Sequence, residues 1–291
     1  MTIYLRPEIT QLSQGLDIDL PDSWLAMVER YLPAMKKYLE YQVSLSKKEL
    51  SIITLGRDDA FLAEIESHLE DLRVSGQAIS IFRRLRRQVT RATWGVKLLL
   101  GPEPEIQVYV KKPLPLEAVL SGLRAQGYGA AVAQQIKKVA SILEKSYTHF
   151  FGADFTPGQP VPFQIYFTQY LSEDASVLRR MEQVVRELAL PSHVTEQLIQ
   201  AHTLLSQPKQ TIWISLSLVD GSIYPAIKLD YRNITFGLAT RLLETLQLPS
   251  STLDALQMVA ETLNVQAADY MGLRLAANAA PSASIYLTRI R

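Results

Sequence analysis

The chain has 291 residues, and its 30 basic against 29 acidic side chains leave a net charge of +1. That balance makes no global field to gather nucleic acid or an anionic membrane, so any charged ligand must be held by a local cluster. Cysteine is absent, which excludes disulfides, thiolate nucleophiles and cysteine-based zinc sites together. The stretch Met1 to Pro21 carries Asp17 and Asp19 instead of a basic-then-apolar leader, and no later run nears the roughly 20 apolar residues that span a bilayer. The expectation is a cytoplasmic protein.

In chain order, alternating segments pair into five hairpins, with segments of helical period between them. The first predicted hairpin joins 38–45 to 50–56 and leads into a helix over 59–73. The second joins 93–100 to 105–112 across the turn Gly101-Pro102-Glu103-Pro104, and helices over 116–125 and 131–145 follow it. The third joins 146–155 to 162–171, ahead of helices over 176–188 and 194–206. The fourth joins 211–218 to 222–232 around Asp220-Gly221, whose composition suits a tight turn. Helices over 235–246 and 252–264 then lead to the fifth hairpin, 269–276 with 284–290.

Four of the second strands carry nearly the same tetrad: Gln107-Val108-Tyr109-Val110, Gln164-Ile165-Tyr166-Phe167, Ser222-Ile223-Tyr224-Pro225 and Ser284-Ile285-Tyr286-Leu287. A tyrosine recurring at about 60 residues marks a repeated unit. No Gly/Ser linker divides the chain, so residues 1–291 are expected to form one domain. Ten antiparallel strands with helices between them bury the helices on one sheet face and lose their exposed edges on closing. The expected fold is therefore α+β, a closed ten-stranded antiparallel barrel surrounded by helices, with room for a cavity.

Strand parity says what lines it. Ile212, Ile214, Leu216 and Leu218 face the helices, which turns Trp213, Ser215 and Ser217 inward. The same rule selects Glu40, Gln42, Lys97, Gln107, Tyr109, Lys111, Gln164, Tyr166, Thr168, Tyr224, Lys228, Asp230, Arg274, Ser284 and Tyr286. The expected lumen is aromatic and cationic, with carboxylates only at Glu40 and Asp230. That lining suits departure of diphosphate from an allylic isoprenoid and capture of the cation that remains. Lysine and arginine stabilise the leaving oxygens in a dry site, tyrosine faces attract the cation at about 0.5 to 2 kcal/mol per ring, and a carboxylate takes the acceptor's proton.

The pattern resembles the aromatic prenyltransferases of the αββα (ABBA) or PT-barrel superfamily, and most of all the cyanobactin prenyltransferases that modify ribosomal cyclic peptides. The stretches that carry it are Leu39-Glu40-Tyr41-Gln42-Val43-Ser44 with Leu50-Ser51-Ile52-Ile53, Trp94-Gly95-Val96-Lys97-Leu98 with Ile106-Gln107-Val108-Tyr109-Val110-Lys111, and Phe151-Gly152-Ala153-Asp154-Phe155 with Phe163-Gln164-Ile165-Tyr166-Phe167. Trp213-Ile214-Ser215-Leu216-Ser217 and Ser284-Ile285-Tyr286-Leu287 continue it. The resemblance implies a natural-product transferase that moves a dimethylallyl or geranyl group from its diphosphate. Glu40 would serve as base or orienter at the acceptor. Lys97, Lys111, Lys228 and Arg274 would hold diphosphate, and Tyr109, Tyr166, Tyr224 and Tyr286 would shield the cation. Gln42, Gln107, Gln164, Trp213 and Ser215 would complete the acceptor and prenyl pocket. Family members place a basic residue in the second strand of the first hairpin, where this chain has none; Arg57, just beyond it, either reaches in or leaves the cradle rearranged. Magnesium would accompany the diphosphate, and no organic cofactor is implied.

Other features read as structure. Phe82-Arg83-Arg84-Leu85-Arg86-Arg87 is a solvated helix face without the aromatic interleaving of a nucleic-acid site. Asp58-Asp59 lacks the further acidic residue of an Asp-Asp-x-x-Asp magnesium clamp, the place being taken by Leu62, and caps the next helix. His68, His149, His193 and His202 have no metal-ligand spacing, and there is no nucleophile elbow, P-loop or dinucleotide fingerprint. Three readings result: prenyl transfer to a nucleophilic side chain of a peptide natural product, the same chemistry on a small indole or phenol, and a barrel that binds an apolar ligand without turnover.

Overall fold

The computed structural model describes residues 2–19, 27–100, 105–171, 176–207 and 209–289; the predicted Gly101–Pro104 turn lies outside them. Ten long strands follow the chain: β1 (Leu39–Ser44), β2 (Glu49–Gly56), β3 (Thr93–Leu100), β4 (Glu105–Lys111), β5 (Phe150–Phe155), β6 (Phe163–Tyr170), β7 (Thr211–Val219), β8 (Ala226–Thr235), β9 (Ala267–Ala276) and β10 (Ala279–Thr288). Each pairs antiparallel with the next. β10 returns to β1 with Tyr286 opposite Gln42 and Thr288 opposite Glu40, which closes the barrel.

Closure is possible because each strand has one apolar and one mixed face. The outward set, including Tyr41, Val43, Val96, Val108, Ile165, Ile214, Leu216, Leu229, Leu273 and Ile285, is fully or almost fully buried beneath the helices. Helices run over Asp59–Asp71 and Gly76–Gln88, Leu116–Arg124 and Ala130–Ile142, Ser176–Glu187 and Ser192–Leu205, and Phe236–Thr245 and Ser250–Leu263. A further helix, Thr2–Leu16, packs on Ser250–Leu263 and completes the outer layer.

The caps agree with the sequence. Asp58 accepts the Phe61 N–H at 2.8 Å, and Ser75 and Thr235 cap their helices in the same way. The arginine run lies on the outer helix face, where Arg83 pairs with Glu66 and Glu70 and Arg86 with Asp59 and Glu66.

Three hairpins depart from the expected form, the fifth because its second strand begins at Ala279, directly after the Ala277-Asn278 turn, and not at 284. The third opens later than predicted, because Tyr147–Thr148 pairs with Leu114–Pro115 in a separate small sheet. The fourth is interrupted at Tyr224-Pro225: Ser222–Ile223 pairs with the end of β7, and the long strand resumes at Ala226. Proline has no N–H to give a ladder, so the break falls where the chemistry requires it.

Candidate active site

The register carries one set of side chains into the lumen. Glu40, Ile53, Lys97, Gln107 and Asp154 are successive cross-strand neighbours from β1 to β5. Tyr166, Ser215, Lys228 and Arg274 continue the inward face from β6 to β9. One half of the lumen encloses a cavity of about 720 Å³ including its open mouth, walled by Tyr38, Glu40, Tyr109, Lys111, Tyr166, Lys228 and their neighbours.

Glu40 is 6% exposed. Tyr38 donates its hydroxyl to Glu40 Oε2 at 2.6 Å, and Thr288 donates to the same oxygen at 3.3 Å. Burial raises the Glu40 pKa above the ordinary carboxylate value, opposed by the Tyr38 bond and by the Lys111 charge. Lys111 stands 5.5 Å from the Tyr38 ring centre and 5.1 Å from that of Phe150. Burial lowers its pKa, while Glu40 acts the other way.

The aromatic wall is built from edge-to-face contacts. Tyr109 meets Tyr166 at 6.4 Å and Tyr166 meets Phe150 at 6.0 Å between ring centres. On β7, β9 and β10, Trp213 meets Tyr270 at 4.8 Å and Tyr270 meets Tyr286 at 6.4 Å. Desolvation pushes the hydroxyls of Tyr109 and Tyr286 well above the usual tyrosine pKa, so these rings stay neutral.

A second cation stands on β8. Lys228 donates to the Tyr286 hydroxyl at 2.6 Å and lies 3.0 Å from Asp230 Oδ1. The carboxylate fits there because its cross-strand neighbour is Gly272, where a Cβ would fall 2.5 Å from Asp230 Oδ1.

Beneath the cavity lies a polar floor. Asp154, inward on β5, accepts from the side-chain amides of Gln107 and Gln164. Those amides accept in turn from the hydroxyls of Tyr109 and Tyr166. Burial and the Glu105 charge push the Asp154 pKa up to about 6, against the pull of Lys97. Lys97 is itself enclosed, and burial lowers its pKa.

Of the expected residues, the cavity gathers Glu40, Lys111, Lys228, Tyr109, Tyr166, Tyr286 and Trp213. Gln42, Lys97, Gln107, Gln164, Ser215 and Arg274 lie on the inward face but outside its lining. Arg274 donates to Ser217 at 3.3 Å.

Three expectations need correction. Arg57 does not enter the lumen; it is exposed and donates to Thr93 at 2.7 Å, because it follows the end of β2. Tyr224 does not wall the cavity. At 39% exposed it stands at the Pro225 break, with the Arg274 guanidinium 5.9 Å from its ring, and Lys228 and Asp230 supply the wall from β8. The lumen also has a third carboxylate, Asp154, which the same parity places inward opposite Gln107. Tyr38, Phe150 and Tyr270 were also missed. Phe150 shares parity with Asp154, Tyr270 with Arg274, and Tyr38, which opens the predicted first strand although the observed β1 starts at Leu39, shares parity with Glu40.

An outer groove adjoins the mouth, lined by Arg30, Lys37, Arg57, Phe61 and Glu64 among others, and it shares Tyr38 and Leu55 with the cavity.

A closed ten-stranded meander with outer helices and a lumen cavity is, by fold, a prenyltransferase-type barrel. The solved structures make that comparison concrete. The 5-dimethylallyltryptophan synthase from Streptomyces coelicolor superposes with a TM-score of 0.67 at 12% identity, covering 97% of this chain and 95% of that one. A 6-dimethylallyl tryptophan synthase gives 0.72 at 14% identity, covering 97% and 94%. NotF, in a structure with brevianamide F and DMSPP, gives 0.69 at 13% identity, covering 96% and 91%. No protein-family model matches the sequence, and no curated protein is significantly similar to it.

Proposed function

We propose that the protein is a prenyltransferase that moves a dimethylallyl or geranyl group from its diphosphate onto a nucleophilic side chain of a peptide natural product. The observation that carries the reading is the cavity itself, which sets two buried carboxylates, Glu40 and Asp230, two lysines and an edge-to-face aromatic wall around one space inside this fold. The solved enzymes of the same fold include a complex of 5-dimethylallyl tryptophan synthase with DMASPP and Trp, and PriB with product diphosphate.

In this reading the donor's C–O bond breaks with its electron pair leaving on diphosphate. Lys228, with Arg274 and Lys97 deeper on the inward face, balances that charge, and Lys111 does so from the other wall. The allylic cation lies against Tyr109, Tyr166 and Tyr286, whose faces attract it and exclude water. The acceptor's electron pair forms the new bond, and its proton passes to Glu40. The Tyr38 hydroxyl holds the carboxylate in position through its 2.6 Å bond.

Among the described residues no three His, Asp or Glu side chains gather into a metal site; magnesium accompanying the donor would be held mainly by the diphosphate oxygens, and no step here runs through it. The described helices include none long and apolar enough to cross a membrane.

The outer groove supports a peptide acceptor. It extends the space beside the mouth, enclosing about 1290 Å³ when the open solvent above it is included. The complexes with tryptophan and brevianamide F favour a second reading, a small indole acceptor. Mass spectrometry separates them: purified protein is incubated with dimethylallyl or geranyl diphosphate, magnesium, and a pool of cyclic and linear peptides, free tryptophan, tyrosine and simple indoles. A gain of one isoprenoid unit on a peptide supports the first reading, and a gain on free amino acid or indole alone supports the second. No product, with no diphosphate binding by calorimetry, defeats both.

A further inference from the structure

Asp154 is enclosed in the barrel, and the chemistry above leaves it without a task. Its surroundings are directional. An ionised carboxylate only accepts hydrogen bonds, so both partner amides must turn their NH2 groups toward it. Gln107 does so from β4 and Gln164 from β6. Their carbonyl oxygens are thereby aimed the other way, at the hydroxyls of Tyr109 and Tyr166, which donate to them. A single charge thus sets the orientation of two amides and two phenols, in a site where amide direction would otherwise be free.

The consequence reaches the cavity, because Tyr109 and Tyr166 stand in its wall. A phenol that donates to an acceptor polarised by a carboxylate gains electron density on its ring, and a cation is held more strongly by such a ring. We propose that Asp154 is a positioning residue that acts through Gln107 and Gln164 to fix the pitch and polarity of the Tyr109 and Tyr166 rings toward the prenyl cation. This rests on the prenyltransferase reading for its use, but the hydrogen-bonded chain exists without it.

Removing the charge reverses part of the chain. Asparagine at 154 presents an NH2 to one of the two amides; that glutamine must turn over, and its tyrosine loses its acceptor. Protonation of Asp154 has the same effect. The charged neighbours that act on Asp154 are Lys97 from β3 and Glu105 from β4. Lys228 and Asp230 from β8 and Tyr286 from β10 act on Tyr166.

The test incorporates 3-fluorotyrosine and follows 19F resonances, assigned with Tyr109→Phe and Tyr166→Phe. In the wild-type protein the two resonances should shift together between pH 5 and 7, while those of tyrosines that touch neither this network nor Glu40 stay still. In Asp154→Asn that shift should vanish. This measurement needs no turnover, so a protein that transfers no prenyl group would sink the functional reading and leave the network tested. On activity, Asp154→Asn should lower the single-turnover rate about tenfold with donor affinity held within about twofold. The same substitution in the Tyr109→Phe/Tyr166→Phe protein should add nothing. Independent resonances for the two tyrosines, or equal rate loss in both backgrounds, overturns the proposal. Should Asp154→Asn fail to fold, the wild-type titration alone decides the coupling.

Discussion

Glu40 shows what a single buried charge costs and supplies. Burial raises its pKa, which makes the ionised form a stronger base than an exposed glutamate, so turnover should rise with pH through a midpoint above the ordinary carboxylate value. In the proposed mechanism Glu40→Gln keeps shape and loses the proton acceptor; we expect kcat to fall about 100-fold or more, with little change in donor affinity by calorimetry. The same shift works against stability. Folding favours the protonated acid, so the wild type is unpenalised below the ordinary carboxylate pKa and loses stability as pH rises through that value to the raised one. Glu40→Gln should therefore melt with the wild type near pH 4 and above it at pH 8. A variant that is slower and also less stable at pH 8 would make Glu40 structural. The rings make a parallel case. Tyr286→Phe keeps the π face but loses the acceptor for Lys228, while Tyr286→Leu loses both. If the face holds a cation, the leucine variant should be slower than the phenylalanine variant by about 2- to 30-fold in single-turnover assays.

Elements explain why those rings stand where they do. Tyr109 on β4 lies between Gly95 on β3 and Gly152 on β5. A Cβ at either glycine would come within 3.2 Å of the Tyr109 ring, one at Cδ2 and the other at Cδ1. The ring sits between two positions that carry no Cβ, so Gly152→Ala forces it a few tenths of an ångström toward Gly95 and out of its present pitch. The expected result is a loss of roughly 1 to 3 kcal/mol in stability from overpacking, with turnover reduced and the fold kept by circular dichroism. An unchanged rate would show that the ring has freedom that the two glycines do not suggest. This element also marks what sequence could reach. Parity was legible wherever one strand face was purely aliphatic, as at Ile212, Ile214, Leu216 and Leu218, because a slip of one residue would expose them all. It misled at Tyr224, where a repeated tetrad matched by letters although Pro225 ends the pairing. Arg57 lies past a strand end, where alternation stops carrying information. Asp154 was within reach: Phe151, Ala153 and Phe155 face the helices, and the same alternation turns Gly152 and Asp154 inward. Its partners were not legible, since they depend on which strand follows β4 around the barrel.

At the scale of the whole molecule, closure divides the space into compartments with different tasks. The helices cover the outer apolar face, and inside the barrel the Asp154–Gln107–Gln164 network joins the cavity wall at Tyr109 and Tyr166. Tyr38 and Leu55 stand at the boundary between that cavity and the outer groove. A peptide acceptor would lie in the groove and pass one side chain between them toward Glu40, whereas a free indole needs only the cavity. Leu55→Trp narrows the passage and leaves Glu40, Lys111 and Lys228 themselves unsubstituted. For a peptide acceptor, kcat/KM should then fall at least about tenfold, corresponding to roughly 1.4 kcal/mol at the transition state. Donor binding by calorimetry should stay within about twofold, and a small indole should lose less than the peptide. Equal losses for both acceptors would place the obstruction inside the cavity rather than along the peptide's path, and the groove would then have no part in acceptor choice.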